Sequence, residues 1–104
     1  MKLKFPKTVN ILSSTYAVLY DKSHNGGSFS MSNCKITIGI KSVKIDPNWT
    51  FNIISHEIME LVLSSMGGRF ENGRTSDNFL FNFDHMTFES AIQVHADALR
   101  QFIA

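Results

Sequence analysis

The chain has 104 residues, 43% hydrophobic and 18% charged, with a formal net charge of +1. That length supports one domain, spanning residues 1–104, with a modest core. The near-neutral balance gives no electrostatic reason to expect nucleic acid or an anionic membrane as partner. One cysteine, Cys34, excludes an intramolecular disulfide and any all-cysteine metal site, and fits a reducing compartment.

The first twenty residues carry basic side chains without an uninterrupted apolar run, so they do not resemble a signal peptide. No segment approaches transmembrane length, and the expected location is cytoplasmic. Residues 9–21 alternate Tyr16, Val18 and Tyr20 among β-branched and aromatic neighbours, which predicts a strand. Asn25-Gly26-Gly27 is a turn signal that supplies positive φ at little cost. Ile36, Ile38 and Ile40 then alternate with Lys35, Thr37, Gly39 and Lys41, the pattern of a half-buried strand with a polar outer face. The apolar phase slips by one at Val43 and Ile45, which predicts a bulge or strand end near Lys41-Ser42.

Asp46-Pro47-Asn48 suits a helix start, and Gly67-Gly68 a helix stop, so a helix is expected over about 48–66. Residues 67–82 read as a loop or short hairpin. A last helix follows Asn82 or Asp84, with Phe88, Ile92, Leu99 and Phe102 at near-helical spacing. The order β-β(-β)-α-loop-α makes an α+β domain with a small antiparallel or mixed sheet. There is no internal repeat and no low-complexity tract.

The segment 54–62, ISHEIMELV, sets three ionisable groups in an apolar run. On a helix, Phe51, Ile54, Ile58, Leu61 and Val62 share one face, while His56 and Glu60 share the opposite one. Trp49, Ile53 and Leu63 surround that pair, so the helix reads as buried nearly all round. Buried charges need pairing, neutralisation or a metal. His56 and Glu60, at i and i+4, have Cβ atoms about 5–6 Å apart and can converge on one ion. Imidazole and carboxylate are both ordinary zinc ligands. Glu57, about 100° around the helix from His56, stands where the H-E-x-x-H signature carries its general base. Here a glutamate replaces the second histidine, giving H-E-x-x-E.

A catalytic zinc usually has three protein ligands. The candidates for the third are His24, His85, Glu89 and His95. His85, opening the last helix, is preferred, and Glu89, four residues on, is its main rival. His24 beside Asn25-Gly26 reads as a solvated turn residue, and His95 on the last helix's apolar seam as a core histidine. An isolated i,i+4 His–Glu helix pair, worth only a few tenths of a kcal/mol, is the plain alternative to the metal reading. Cys34 has no neighbours that would make it a nucleophile. Lys35, Lys41 and Lys44 fit a solvated sheet face.

In this order of parts the chain resembles small bacterial and phage-encoded proteins of the zincin-like, minimal-gluzincin type. The pieces that carry the resemblance are STYAVLYDKS, CKITIGI, ISHEIMELVLSSMG and FDHMTFESAIQVHADALRQFI, which together cover most of the chain. The resemblance implies a zincin-like fold with one zinc held by His56, Glu60 and His85, and Glu57 as general base of a metallopeptidase or other hydrolase. An extended peptide or protein substrate would then add to the sheet edge. The alternative is a phage or bacterial binding or structural protein that keeps the fold and a structural metal. Neither residue pattern nor resemblance indicates an oligomeric state.

Overall fold

β-branched and aromatic residues in the first forty positions build one mixed sheet. The computed structural model describes residues 2–67, 69–71, 79–81 and 84–104. It has four strands here: β1 (Thr8–Ile11), β2 (Ser14–Asp21), β3 (Gly27–Ser30) and β4 (Lys35–Gly39). Their order is β1-β2-β4-β3, with β2 and β4 parallel and both outer pairs antiparallel. The strand expected over 9–21 is two strands, because the chain reverses at Leu12-Ser13. Leu12 takes φ 56 there, a left-handed conformation reached without the usual glycine or asparagine.

The isoleucine alternation holds: Ile36 and Ile38 are fully buried and Lys35 is exposed. The strand stops at Gly39, before the expected Lys41-Ser42, because its parallel neighbour β2 ends at Asp21, the partner of Gly39. Beyond it the N–H groups of Val43 and Ile45 donate to the carbonyls of Ile40 and Ser42, each at 3.1 Å. These are turn bonds, so the slipped apolar phase is not a strand, and Ile45 is almost fully exposed.

Helix α1 (Pro47–Ser65) closely matches the expected limits. The Asp46 side chain caps it, accepting from the Trp49 N–H at 3.2 Å. Gly67, at φ 75, follows its last turn; the expected partner stop residue, Gly68, lies outside the described residues. Ile54, Ile58, Leu61 and Val62 are fully buried against the sheet and the second helix. Each such side chain contributes about 1.5–3 kcal/mol. Burial all round is not observed. The line through Trp49, Asn52 and His56 faces solvent, since neither the sheet nor the second helix covers that third side.

Past α1, β5 (Arg69–Glu71) pairs antiparallel with β6 (Phe79–Phe81), so the segment between the helices includes a short two-stranded piece. Helix α2 (His85–Arg100) starts at Asp84, whose side chain accepts from the Thr87 N–H at 2.8 Å. Asn82, the other expected start, lies outside the described residues. The buried seam of α2 differs from expectation. Phe88 and Ile92 are exposed, whereas Ala91 and Ala98 are fully buried, with Val94 and Leu99 partly so. Two alanines seven residues apart let the helix backbone approach its neighbours closely, which bulkier side chains would prevent. Phe102, just past the helix, is fully buried as expected. Gln101 fastens this end to β1, its side chain accepting from the Asn10 N–H at 2.9 Å and donating to the Asn10 carbonyl at 2.8 Å. Among the described residues no helix is long and apolar enough to cross a membrane.

The turn after β2 is tied by Asp21. Its carboxylate accepts from the Ser23 hydroxyl at 2.6 Å and the Ser23 N–H at 2.9 Å, and pairs with His24 Nδ1 at 2.8 Å. The Ser23 bonds first, then His24, hold the Asp21 pKa down at about 2, against an ordinary 3.8. A depressed folded-state pKa means stability that is present above 3.8 and lost as pH falls toward about 2. Asp21→Asn should therefore flatten the acid limb of a stability-versus-pH curve in that window. Chemical denaturation at stepped pH measures this, and an unchanged slope would contradict the assignment.

Candidate metal centre

Helix α1 alone positions His56, Glu57 and Glu60, and its capped start and fully buried Ile54 and Ile58 fix their heights and directions. One ligand atom from each side chain lies within 4.8 Å of the others, and this is the group of metal-ligand type that forms among the described residues. His56 Nε2 stands 3.4 Å from Glu60 Oε1. That is longer than an ordinary N–H···O bond of about 2.7–3.2 Å. It matches the edge of a tetrahedron with metal–ligand bonds of about 2.0–2.1 Å, which is about 3.3 Å. The donor set and this spacing both fit a zinc-sized cation.

The three groups differ in exposure. The His56 side chain is 67% exposed and that of Glu60 22%. Glu57, by contrast, is 5% exposed. Its burial has a visible cause. A Cβ placed on Gly27 would lie 2.5 Å from Glu57 Cγ and 3.0 Å from its Cδ, so the carboxylate stem rests directly on the β3 backbone. Only glycine leaves that room. Sequence reading found Gly26-Gly27 as a turn signal but not as the seat of Glu57, because the two positions meet only through tertiary packing.

The backbone at Gly26 is itself held against β4. The Gly39 N–H donates to the Gly26 carbonyl at 2.6 Å, and the Lys41 N–H to the His24 carbonyl at 3.0 Å. Asn25 is fastened to Ser42 by two bonds, at 2.7 and 3.0 Å. Between this wall and α1 runs a cleft of about 370 Å³, lined by His56, Glu57, Trp49, Asn52, Ile53 and the two glycines among others. A second hollow, of about 400 Å³, lies on the α2 side of His56 and Glu60 and is lined also by Met59, Leu63 and His95.

The other candidate ligands among the described residues are not part of this converging group. His85 is not among the converging side chains: its Nε2 lies 2.9 Å from Glu89 Oε1, and both groups are largely exposed. The physical reason is the seating of α2. His95 Nε2 donates to the Ser55 carbonyl at 3.2 Å and lies 3.1 Å from the Ser55 hydroxyl. This sets His95 beside the residue that precedes His56. His85 is ten residues earlier on α2, a helical rise of about 15 Å. His95 thus occupies the interhelical seam, as its place in the sequence suggested, and His24 sits exposed in the Asp21 turn.

Comparison with family models, with curated proteins and with solved structures finds no match.

The Gly27 contact makes a direct prediction. Gly27→Ala should cost about 1–3 kcal/mol of stability, because the added methyl displaces a buried side chain. Gly26→Ala, with nothing within 4 Å of the new Cβ, should stay within about 0.5 kcal/mol of the parent. Urea denaturation of both variants compares them, and equal losses would refute the contact.

Proposed function

We propose that this chain is a zincin-like, zinc-dependent hydrolase of peptide bonds, with His56 and Glu60 as metal ligands and Glu57 as general base. The observation that carries the reading is the convergence of the three ligand atoms within 4.8 Å, with one carboxylate buried beside a cleft. Zinc, when bound, supplies Lewis acidity and lowers the pKa of water in its open position to about 7. Glu57, braced against Gly27, would accept that proton at its carboxylate and later return it to the leaving amine. The cleft would receive an extended stretch of peptide between α1 and the Gly26-Gly27 wall. Three protein ligands are usual for catalytic zinc; His56 and Glu60 supply two, and His85 is engaged with Glu89. The exposed free thiol of Cys34 suits the cytoplasm as the compartment.

A second reading rests on Glu57 itself. Its ligand atom belongs to the same group as those of His56 and Glu60, so three donors from one helix could close around an ion. The metal would then be structural, and the chain a non-catalytic binding protein.

The two readings part on Glu57. Under the hydrolase reading, Glu57→Gln retains about one zinc per chain and loses peptide hydrolysis by about 10²–10⁴-fold. His56→Ala loses the zinc, together with the stability that metal binding adds. Elemental analysis of purified protein, run beside hydrolysis of a mixed peptide library with zinc present, reads both quantities. No zinc in the parent protein, even after zinc addition, would remove both readings. Zinc without hydrolysis, lost on Glu57→Gln, would leave the structural one.

A further inference from the structure

The cleft beside Glu57 has two unlike walls. One is backbone at Gly26 and Gly27: the space over Gly26 is open, and that over Gly27 is filled by the stem of Glu57. The other is the exposed line of α1 that carries Trp49, Asn52 and Ile53. Trp49 is 49% exposed, unusual for a large aromatic ring at a fixed helical position, and it is the chain's single tryptophan. Its backbone N–H is bound by the Asp46 cap at 3.2 Å, which fixes its place in the first turn of the helix. Ile53, one helical turn on, is almost wholly buried and floors the cleft toward Glu57. The Asn52 amide lines the same cleft and is exposed, with no hydrogen bond among the described residues.

We propose that Trp49, Ile53 and the Gly26-Gly27 wall form a subsite for an aromatic side chain of a peptide ligand, with Asn52 bonding the adjoining peptide group. The proposal deepens the reading of His56 and Glu57 as the reacting centre and names the substrate class: peptides with an aromatic residue next to the bond presented to Glu57. Several features favour that occupant. A cleft of about 370 Å³ lies within the range of small-ligand pockets. Aromatic rings gain about 0.5–1.5 kcal/mol from ring–ring geometry beyond area burial, and Trp49 offers a half-exposed ring at the cleft. Among the described residues the cleft lining holds no lysine or arginine and carries Trp49 and Ile53, which suits an apolar side chain better than an acidic one. A free amide beside an apolar shelf is the arrangement that orients a peptide backbone while the shelf selects its side chain.

The test uses the metal-free full chain, so that it does not depend on zinc. N-acetyl-L-phenylalanine amide and N-acetylglycine amide are titrated separately. The readouts are the single indole N–H resonance of Trp49 and the backbone amides of Gly26 and Gly27. The phenylalanine probe should shift all three saturably, with a Kd about ten-fold or more below that of the glycine probe. Trp49→Ala, followed on the two glycine amides, should weaken the phenylalanine probe by about five-fold, and Trp49→Phe should restore most of the loss. The dispersion of the remaining spectrum reports whether each variant is folded. Equal affinity for the two probes, or a phenylalanine affinity untouched in folded Trp49→Ala, would overturn the subsite. Zinc content of the same preparations, measured separately, keeps a failure of the metal reading distinct from a failure of this one.

Discussion

One close approach governs the chemistry-bearing part of this molecule: the stem of Glu57 lying on the backbone of Gly27. It brings a carboxylate out of water without burying it in a purely apolar core, and it sets the distance between α1 and the edge of the sheet. Everything around it serves to hold the two partners in place. On one side, Ile54, Ile58, Leu61 and Val62 seat the helix on the sheet. On the other, Gly39 and Asn25 fasten the β3 approach from behind. Gly39 is as constrained as Gly27, since a Cβ there would stand 2.5 Å from both the Gly26 nitrogen and the His24 carbonyl oxygen.

The arrangement divides α1 into three strips with different tasks. The strip of Ile54, Ile58, Leu61 and Val62 supplies packing energy. The strip of His56 and Glu60 projects donors at the separation a tetrahedral cation requires. Between them Glu57 is buried, with its stem on the Gly27 backbone and its residue lining the cleft. The same helix thus provides anchorage and the cluster of donor groups, and its rigid rise fixes their relative positions without help from a loop.

Local signals made much of this legible in the sequence. The limits of α1 followed from Asp46-Pro47 and Gly67, whose effects act within a few residues. The inward positions of β4 followed from strict alternation. The ionisable cluster was visible because i, i+1 and i+4 are set by helical geometry alone. What could not be read depended on tertiary partners. The β1–β2 reversal uses Leu12 at positive φ, which no turn residue announced. The α2 seam runs through Ala91 and Ala98 because small residues permit close approach, whereas apolar spacing pointed to Phe88 and Ile92. The position of His85 at the start of α2 suggests a ligand, but the contact between His95 and Ser55 decides where that helix lies. The floor and walls of the cleft at Trp49, Ile53 and Gly27 are contributed by segments more than twenty residues apart, and no periodicity joins them.

The Gly27–Glu57 contact also bears on how such a chain can diverge. The side chain at one position fills the space that a Cβ at the other would need, so the two positions are not free to vary separately. Were residue 57 to shrink to alanine or serine, the severest clash at position 27 would be relieved, leaving the Thr37 carbonyl at 3.1 Å as the remaining close contact of a Cβ there. Gly39 carries no such conditional freedom, because all three atoms that crowd it within 2.6 Å are backbone and no replacement elsewhere relieves them. In an alignment of descendants, positions 27 and 57 would change together, and the loss of glycine at 27 would mark lineages that had given up the glutamate.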